Sequence, residues 1–147
     1  MSTVNEVLVV KGPQVHTISM TSTVLDAVKR MHELKIGCLV VTDDGAVPGG
    51  MITERDVLRR LATAMDDLSK ITVGEVMTSE VIVCTPKDSV DRVRSIMKNE
   101  YVRQLPVVDT DGHLVGLVSL GDVNSHLVRE EAVEIKHLHD YIHGNVR

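Results

Sequence analysis

The chain has few of the side chains that build aromatic binding surfaces. It contains no tryptophan and no phenylalanine, and Tyr101 and Tyr141 are its two tyrosines. This shortage removes the usual stacking platform for single-stranded nucleic acid. The net charge is −5 and the basic residues are dispersed, so the concentrated positive face that nucleic acid requires is also missing. We expect no nucleic-acid partner, and a ligand with an aromatic ring must lie against aliphatic side chains.

Cysteines and long apolar runs are also scarce. Cys38 and Cys84 lie in apolar, strand-like runs and form no metal-binding spacing, which predicts two core thiols. No apolar run approaches the length of a membrane span. The first residues lack the basic and apolar regions of a secretory signal. We therefore expect a cytoplasmic protein with no membrane partner, and a hydrophobic content of 43% fits an ordinary globular chain.

An internal repeat is the most informative feature that is present. Positions 66 residues apart carry the same side chain without gaps, as in the pairs Val24/Val90, Met31/Met97, Leu39/Leu105, Gly50/Gly116 and Asp56/Asp122. The lead-in segments TVNEV (3–7) and TVGEV (72–76) also match, at an offset of 69. We predict a first copy with its lead-in over residues 1–68 and a second copy over residues 69–130.

Each copy is predicted to form a βαββα unit. In the first copy these elements are VHTIS, a helix capped by Thr23, CLVVT, GMIT and a helix that ends near Asp66. The second copy repeats them as VIVCT, a helix from Ser89, LPVVD, LVGLVS and a helix from about Leu120. A helix between the first two strands implies a right-handed parallel crossover, and a hairpin follows. The predicted class is α+β, with two units packed sheet to sheet about a pseudo-twofold axis and clefts at the seam.

A long C-terminal helix is predicted over residues 124–143. Its apolar residues form a one-sided stripe that suits packing on the module or on another subunit. The stripe contains Val128, Ile135, Leu138, Tyr141 and Ile142. His139 and His143 lie one turn apart, but no third metal ligand is evident, so we interpret them as part of a solvated helix face.

A duplicated motif, G-x-x-[ST]-x-x-D, is the strongest local signal. It comprises Gly50, Thr53 and Asp56 in the first copy and Gly116, Ser119 and Asp122 in the second. A hydroxyl followed three residues later by an acid is also a helix-capping pattern. Each motif alone is therefore weak evidence for a ligand.

The symmetric placement of the two motifs favours ligand sites. Both stand where the third strand meets the last helix, and clefts form at such junctions. The glycines, Gly50 and Gly116, let a ligand approach the backbone, although a strand-end turn also explains them. A carboxylate at a helix start accepts hydrogen bonds from a ribose diol, while helix N–H groups bind phosphate. Capping and ligand binding are compatible.

With this repeat and these motifs, the sequence resembles a tandem cystathionine β-synthase (CBS) domain pair, or Bateman module, over roughly residues 3–130. The second copy carries the resemblance through TVGEVMT, VCTP, VRQLPVVD, the turn TDG and GLVSLGDV. The first copy departs from this pattern, because Val40 stands where Pro106 stands in the second copy and no proline follows Ser19.

The resemblance implies adenosine-containing ligands in two seam clefts. Asp56 and Asp122 would contact ribose, and Thr53 and Ser119 would contact ribose or phosphate. The remaining positions that the resemblance implies are pocket-lining Ser19 and Thr85 at the end of strand one, and Ile36 and Val102 against adenine.

Two arginines distinguish the copies. Arg55 and Arg103 are candidates for phosphate contacts, because a guanidinium suits phosphate oxygens, and the alternative is plain surface charge. They match Gly121 and Gly37 respectively. The two sites are therefore expected to differ, with one binding nucleotide more tightly.

These observations favour a ligand sensor over an enzyme. No nucleophile, base or paired-carboxylate arrangement appears at a shared location. We expect AMP first, then ADP or ATP, with S-adenosylmethionine and NAD(H) left open, and a regulated partner on another chain. The resemblance also implies a homodimer. The competing hypothesis is an assembly domain that binds no ligand.

Overall fold

The computed structural model describes residues 2–144, which form six helices and five strands. In chain order they are α1 (Val4–Lys11), β1 (Thr17–Ile18), α2 (Val24–Leu34), β2 (Cys38–Val41), β3 (Gly50–Thr53), α3 (Glu54–Thr63), α4 (Val73–Val76), α5 (Val90–Glu100), β4 (Gln104–Val108), β5 (Leu114–Ser119) and α6 (Leu120–Ile142). The predicted α+β class, with two copies and a C-terminal helical extension, is confirmed. None of the helices in residues 2–144 combines the length and apolarity needed to cross a bilayer.

The first copy forms the predicted mixed sheet in the order β1-β2-β3. Strand β1 runs parallel to β2, with Thr17 opposite Val40, and β3 runs antiparallel to β2, with Thr53 opposite Cys38. Thr23 caps α2 by accepting a hydrogen bond from the Asp26 N–H. All four β2 residues are buried, as expected for a strand covered on both faces.

The second copy departs from its prediction at the first strand. Strands β4 and β5 pair antiparallel, but VIVCT contributes a single parallel bridge between Cys84 and Val107. In the first copy, Val40 donates its N–H to the carbonyl oxygen of His16. Pro106 occupies the matching position and has no N–H, so this hydrogen bond is lost and the strand is shortened.

The lead-in helices exchange places between the copies. Helix α1 packs into the core of the second copy, and α4 packs into the core of the first. Matching backbone hydrogen bonds hold them, from Val4 N–H to Asp88 O at 2.9 Å and from Val73 N–H to Ser22 O at 2.8 Å. Each copy therefore completes its core with a segment from the other, and the boundary placed at residue 68 stays a prediction.

Helix α6 extends well past the second copy. Its stripe residues are exposed, with Ile135 65% and Leu138 62% accessible to solvent. Residues 131–139 are all exposed. The stripe therefore does not pack on the module, which was one of the two alternatives predicted for it.

Candidate functional site

Both motifs form complete capping boxes. Thr53 Oγ1 accepts the Asp56 N–H at 3.2 Å, and Asp56 Oδ2 accepts the Thr53 N–H at 3.0 Å. Ser119 and Asp122 make the same pair of bonds at 3.0 and 2.9 Å. Helix capping therefore explains the motif in both copies. Whether a motif can also bind a ligand depends on what surrounds its carboxylate.

The first motif lines a cleft of about 550 Å³ at the seam between the copies. Thr53, Arg55 and Asp56 enter it from the β3–α3 junction of the first copy, while Val102 and Arg103 enter from the start of β4 in the second. The structure thus brings five of the predicted residues together. It also places the two distinguishing arginines in one cleft, although they lie in different copies. We call this the first cleft.

Asp56 is the buried carboxylate of the first cleft, only 7% exposed. Its Oδ2 is held by Thr53, and Thr78 Oγ1 donates to its Oδ1 at 3.2 Å. Arg59 Nη1 lies 3.8 Å from the same Oδ1. No sequence pattern indicates this contact of Thr78, because Thr78 follows α4 and the repeat does not reveal that α4 packs on the first copy.

The surroundings of Ser119 and Asp122 in the second copy, which we call the second site, differ from those of the first motif. Lys11 Nζ lies 2.6 Å from Asp122 Oδ2 and donates to the Leu117 carbonyl oxygen at 2.7 Å. Burial raises the pKa of Asp122, but the hydrogen bonds from Lys11 and Ser119 outweigh it and leave that pKa below its ordinary value. The two motif aspartates therefore differ, because Asp122 accepts a hydrogen bond from an ammonium at 2.6 Å, whereas Asp56 accepts one from a hydroxyl and has its nearest cation, Arg59, at 3.8 Å.

The remaining predicted residues lie outside the first cleft. Ile36 borders a shallow depression beside it, with Gly37 and Glu54 common to both. Ser19 Oγ lies 3.0 Å from Thr21 Oγ1, and the Thr85 N–H donates to Asp88 at 2.8 Å. Ligand contacts by Ser19, Ile36 and Thr85 stay predictions.

The motif glycines allow close approach of the exchanged lead-ins. A Cβ on Gly50 would lie 2.6 Å from Met77 Sδ and 2.9 Å from the Thr78 carbonyl oxygen. A Cβ on Gly116 would lie 2.8 Å from Leu8 Cδ2. Protein atoms occupy the space beside both glycines, and their contact with a ligand stays a prediction.

Three side chains of the types that can ligate a metal approach one another at one turn. Asp109, Asp111 and His113, between β4 and β5, hold their ligand atoms within 4.8 Å of one another. Asp109 Oδ1 already accepts the backbone N–H groups of the other two at 2.9 Å, which accounts for the cluster as a turn. The rings of His139 and His143 stack with centroids 4.2 Å apart.

Two α+β copies with exchanged lead-ins and a seam cleft define the class of protein to which the chain belongs. A family model described as "CBS domain" matches residues 4–63 and again residues 73–129. The chain belongs to the CBS domain family, which confirms the resemblance drawn from the repeat and its motifs.

Individual relatives match most of this chain in sequence. It is 38% identical over 126 residues to CBS domain-containing protein CBSX3, mitochondrial, of Arabidopsis thaliana, covering 83% of this chain and 61% of that protein. It is 33% identical over 119 residues to CBS domain-containing protein YhcV of Bacillus subtilis, covering 81% and 83%. The match thus spans less than two thirds of the plant protein.

Solved structures agree with this assignment. The CBS-domain protein ATU1752 from Agrobacterium tumefaciens superimposes with a TM-score of 0.80 at 32% identity, covering 85% of this chain and 98% of that one. The CBS domain pair of MJ0100, solved with 5′-methylthioadenosine and S-adenosyl-L-methionine, gives 0.70 at 26%, covering 86% and 99%. CBSX2, solved with AMP, gives 0.77 at 23%, covering 88% and 98%, a likeness of fold alone.

Proposed function

We propose that this chain is a regulatory module that binds an adenosine ligand in the first cleft and transmits its occupancy to a separate partner. The observation that carries this proposal is the meeting of Thr53 and Asp56 with Arg55 and Arg103 around a single seam cleft. The MJ0100 pair supports it, since that relative was solved with two adenosine-containing molecules. A cleft of about 550 Å³ is also of the size that holds small molecules.

The side chains of the first cleft divide into three chemical roles in this proposal. The Asp56 carboxylate accepts hydrogen bonds from the ribose diol, and the Thr53 hydroxyl supports the same end of the ligand. Arg55 and Arg103 are exposed and reach phosphate oxygens from opposite sides of the seam. Val102 gives adenine an aliphatic surface, and the neighbouring Tyr101 also lines the cleft.

The charge of the first cleft favours AMP over more highly charged nucleotides. Its arginines, Arg55, Arg59 and Arg103, are accompanied by the carboxylates Glu54, Asp56, Glu80 and Glu100. Three cations among four anions leave no positive excess to attract a triphosphate. We therefore propose AMP as the ligand, with ADP and ATP weaker and S-adenosylmethionine the cationic competitor.

Binding without catalysis is the proposed activity. The described residues that line the first cleft include no histidine, cysteine or lysine, and its Asp56 carboxylate is held by Thr53 and Thr78 in a capping box and a hydrogen bond rather than beside a nucleophile and base pair. Regulation of another chain accords with such a site.

A panel of melting shifts tests the proposal. AMP, ADP, ATP, S-adenosylmethionine and NAD(H) are each added to the wild type, and AMP at 100 times its Kd should add about 2.7 kcal/mol of apparent stability. Asp56→Asn should abolish this shift. Asp122→Asn is the matched control, because it makes the same change in the equivalent capping box of the second copy and should keep the shift. A wild type that no ligand shifts would end the sensor hypothesis.

The exposed stripe of α6 favours a second candidate function, assembly of a homodimer. Val128, Ile135, Leu138 and Ile142 are each at least 62% exposed on one helix face. Residues repeating every seven positions along a helix suit pairing with a second copy. In the pure assembly alternative, dimerisation is the function and no nucleotide binds.

Light scattering after size exclusion tests assembly. Ile135→Glu should shift the chain toward monomer, because it places a charge within the stripe. Val133→Glu is the matched control, since Val133 is 53% exposed on the opposite face of the same helix. Equal masses for the two variants would argue against the α6 interface, and a dimer that no nucleotide stabilises would favour the assembly function.

A further inference from the structure

The two lead-in helices differ in length, and this changes what they present to the motif aspartates. Helix α4 stops at Val76, and Thr78 then pairs with Met51 through hydrogen bonds of 2.9 and 2.8 Å. Helix α1 has eight residues against four in α4 and ends at Lys11. By the offset of 69, Lys11 corresponds to Glu80, a residue that lines the first cleft.

The longer α1 carries Lys11 into the seam at the second site. Its ammonium contacts Asp122 Oδ2 at 2.6 Å and the Leu117 carbonyl oxygen at 2.7 Å, both in the second copy. Burial raises the pKa of Cys38, which lies on β2 of the first copy, to about 11, and the positive charge of Lys11 partly opposes this rise.

We propose that Lys11 is a specificity-determining residue that closes the second site to ribose, so that one chain binds one nucleotide. This inference rests on the proposed adenosine-binding function. Asp122 Oδ2 accepts the Ser119 N–H as well as the Lys11 ammonium. A ribose hydroxyl is neutral, and it must displace a charge-assisted hydrogen bond of 2.6 Å to reach this oxygen. In the first cleft, Asp56 Oδ1 accepts a hydrogen bond from the neutral Thr78 hydroxyl at 3.2 Å. The one guanidinium near this oxygen among the described residues, that of Arg59, lies at the longer distance of 3.8 Å on a side chain that is 66% exposed.

Lys11→Met tests the inference, because methionine keeps an apolar stem and loses the ammonium. Calorimetric titration with AMP should give one site per chain for the wild type and two for Lys11→Met. The double variant Lys11→Met/Asp122→Asn should return to one site. Lys98→Met, at an exposed position of α5, is the matched control and should stay at one.

Titrations in the Asp56→Asn variant separate the two sites directly, because this variant removes the first cleft's ribose contact. Asp56→Asn alone should bind no AMP, and Lys11→Met/Asp56→Asn should bind one through the second site. Lys11→Ala serves as an independent variant in case methionine disturbs folding, which circular dichroism monitors.

Several outcomes would overturn the inference. Two sites in the wild type, or one site in folded Lys11→Met and Lys11→Ala, would show that Lys11 does not close the second site. Either result would leave the proposed function of the first cleft standing. Weaker binding in both Lys11 variants would make Lys11 a phosphate contact instead. Absence of AMP binding in the wild type and in every Lys11 variant would overturn the proposed function, and this inference with it.

Discussion

Gly50 and Gly116 occupy matching positions of the repeat, and each contacts the lead-in segment that packs on its copy. The same substitution at both positions therefore tests the exchange of the lead-ins. Gly50→Ala and Gly116→Ala add the same methyl group at these matching positions, in β3 and β5. Neither glycine has a positive φ, so the backbone accepts alanine at both positions. The two sites differ in what the methyl meets: backbone oxygen of Thr78 at 2.9 Å in one case and the end of the Leu8 side chain at 2.8 Å in the other.

The expected costs follow from this difference. Alanine for glycine stabilises by about 0.4–1 kcal/mol through the unfolded chain, whereas overpacking costs about 1–3 kcal/mol. The Thr78 carbonyl is hydrogen-bonded to the Met51 N–H and cannot move without loss. We therefore expect Gly50→Ala to lose about 1–2 kcal/mol net, while Leu8 adjusts and Gly116→Ala loses about 0–1 kcal/mol.

Urea and thermal denaturation measure both variants. For a chain of this size, each kcal/mol lowers Tm by about 2–4 °C. In a Leu8→Ala background, Gly116→Ala should become neutral or stabilising because its clash is gone. Met77→Ala should relieve Gly50→Ala only in part, since the Thr78 oxygen remains. A larger loss for Gly116→Ala than for Gly50→Ala, or no coupling to Leu8, would refute the packing argument.

Three further predictions concern the core and the second site. Leu39→Ala, at a fully buried position, should lose about 2–5 kcal/mol in urea titrations, and a loss under 1 kcal/mol would contradict the assigned core. Burial raises the pKa of Cys38 to about 11 and that of Cys84 to about 12, so both thiols should resist iodoacetamide at pH 8 and react quickly in denaturant. Because the pKa of Asp122 is lowered on folding, its stabilisation is present above the pKa of an unfolded aspartate and lost as pH falls through the folded value. The stability difference between wild type and Lys11→Met should therefore shrink in acid, and a difference that grows in acid would contradict the ion pair.

The sequence predicted local structure well where one side chain acts on its own neighbours. Thr23, Ser89 and the two motif hydroxyls cap the helices that their spacing indicated, because capping involves residues only three positions apart. The register of the repeat likewise predicted the matching hairpins. The strand around Cys84 was predicted too long, since the effect of Pro106 depends on which strand pairs with it.

Composition, the duplicated motif and its capping chemistry were determined by the sequence alone, because they depend on residue types and short spacings. Only the tertiary structure decided that Arg55 and Arg103 share one cleft, that Thr78 approaches Asp56 and that Lys11 approaches Asp122. These contacts join residues far apart in the chain, through lead-in helices that pack on the opposite copy. A repeat pattern shows which segments are alike, whereas the burial of apolar side chains in three dimensions decides which copy each segment completes.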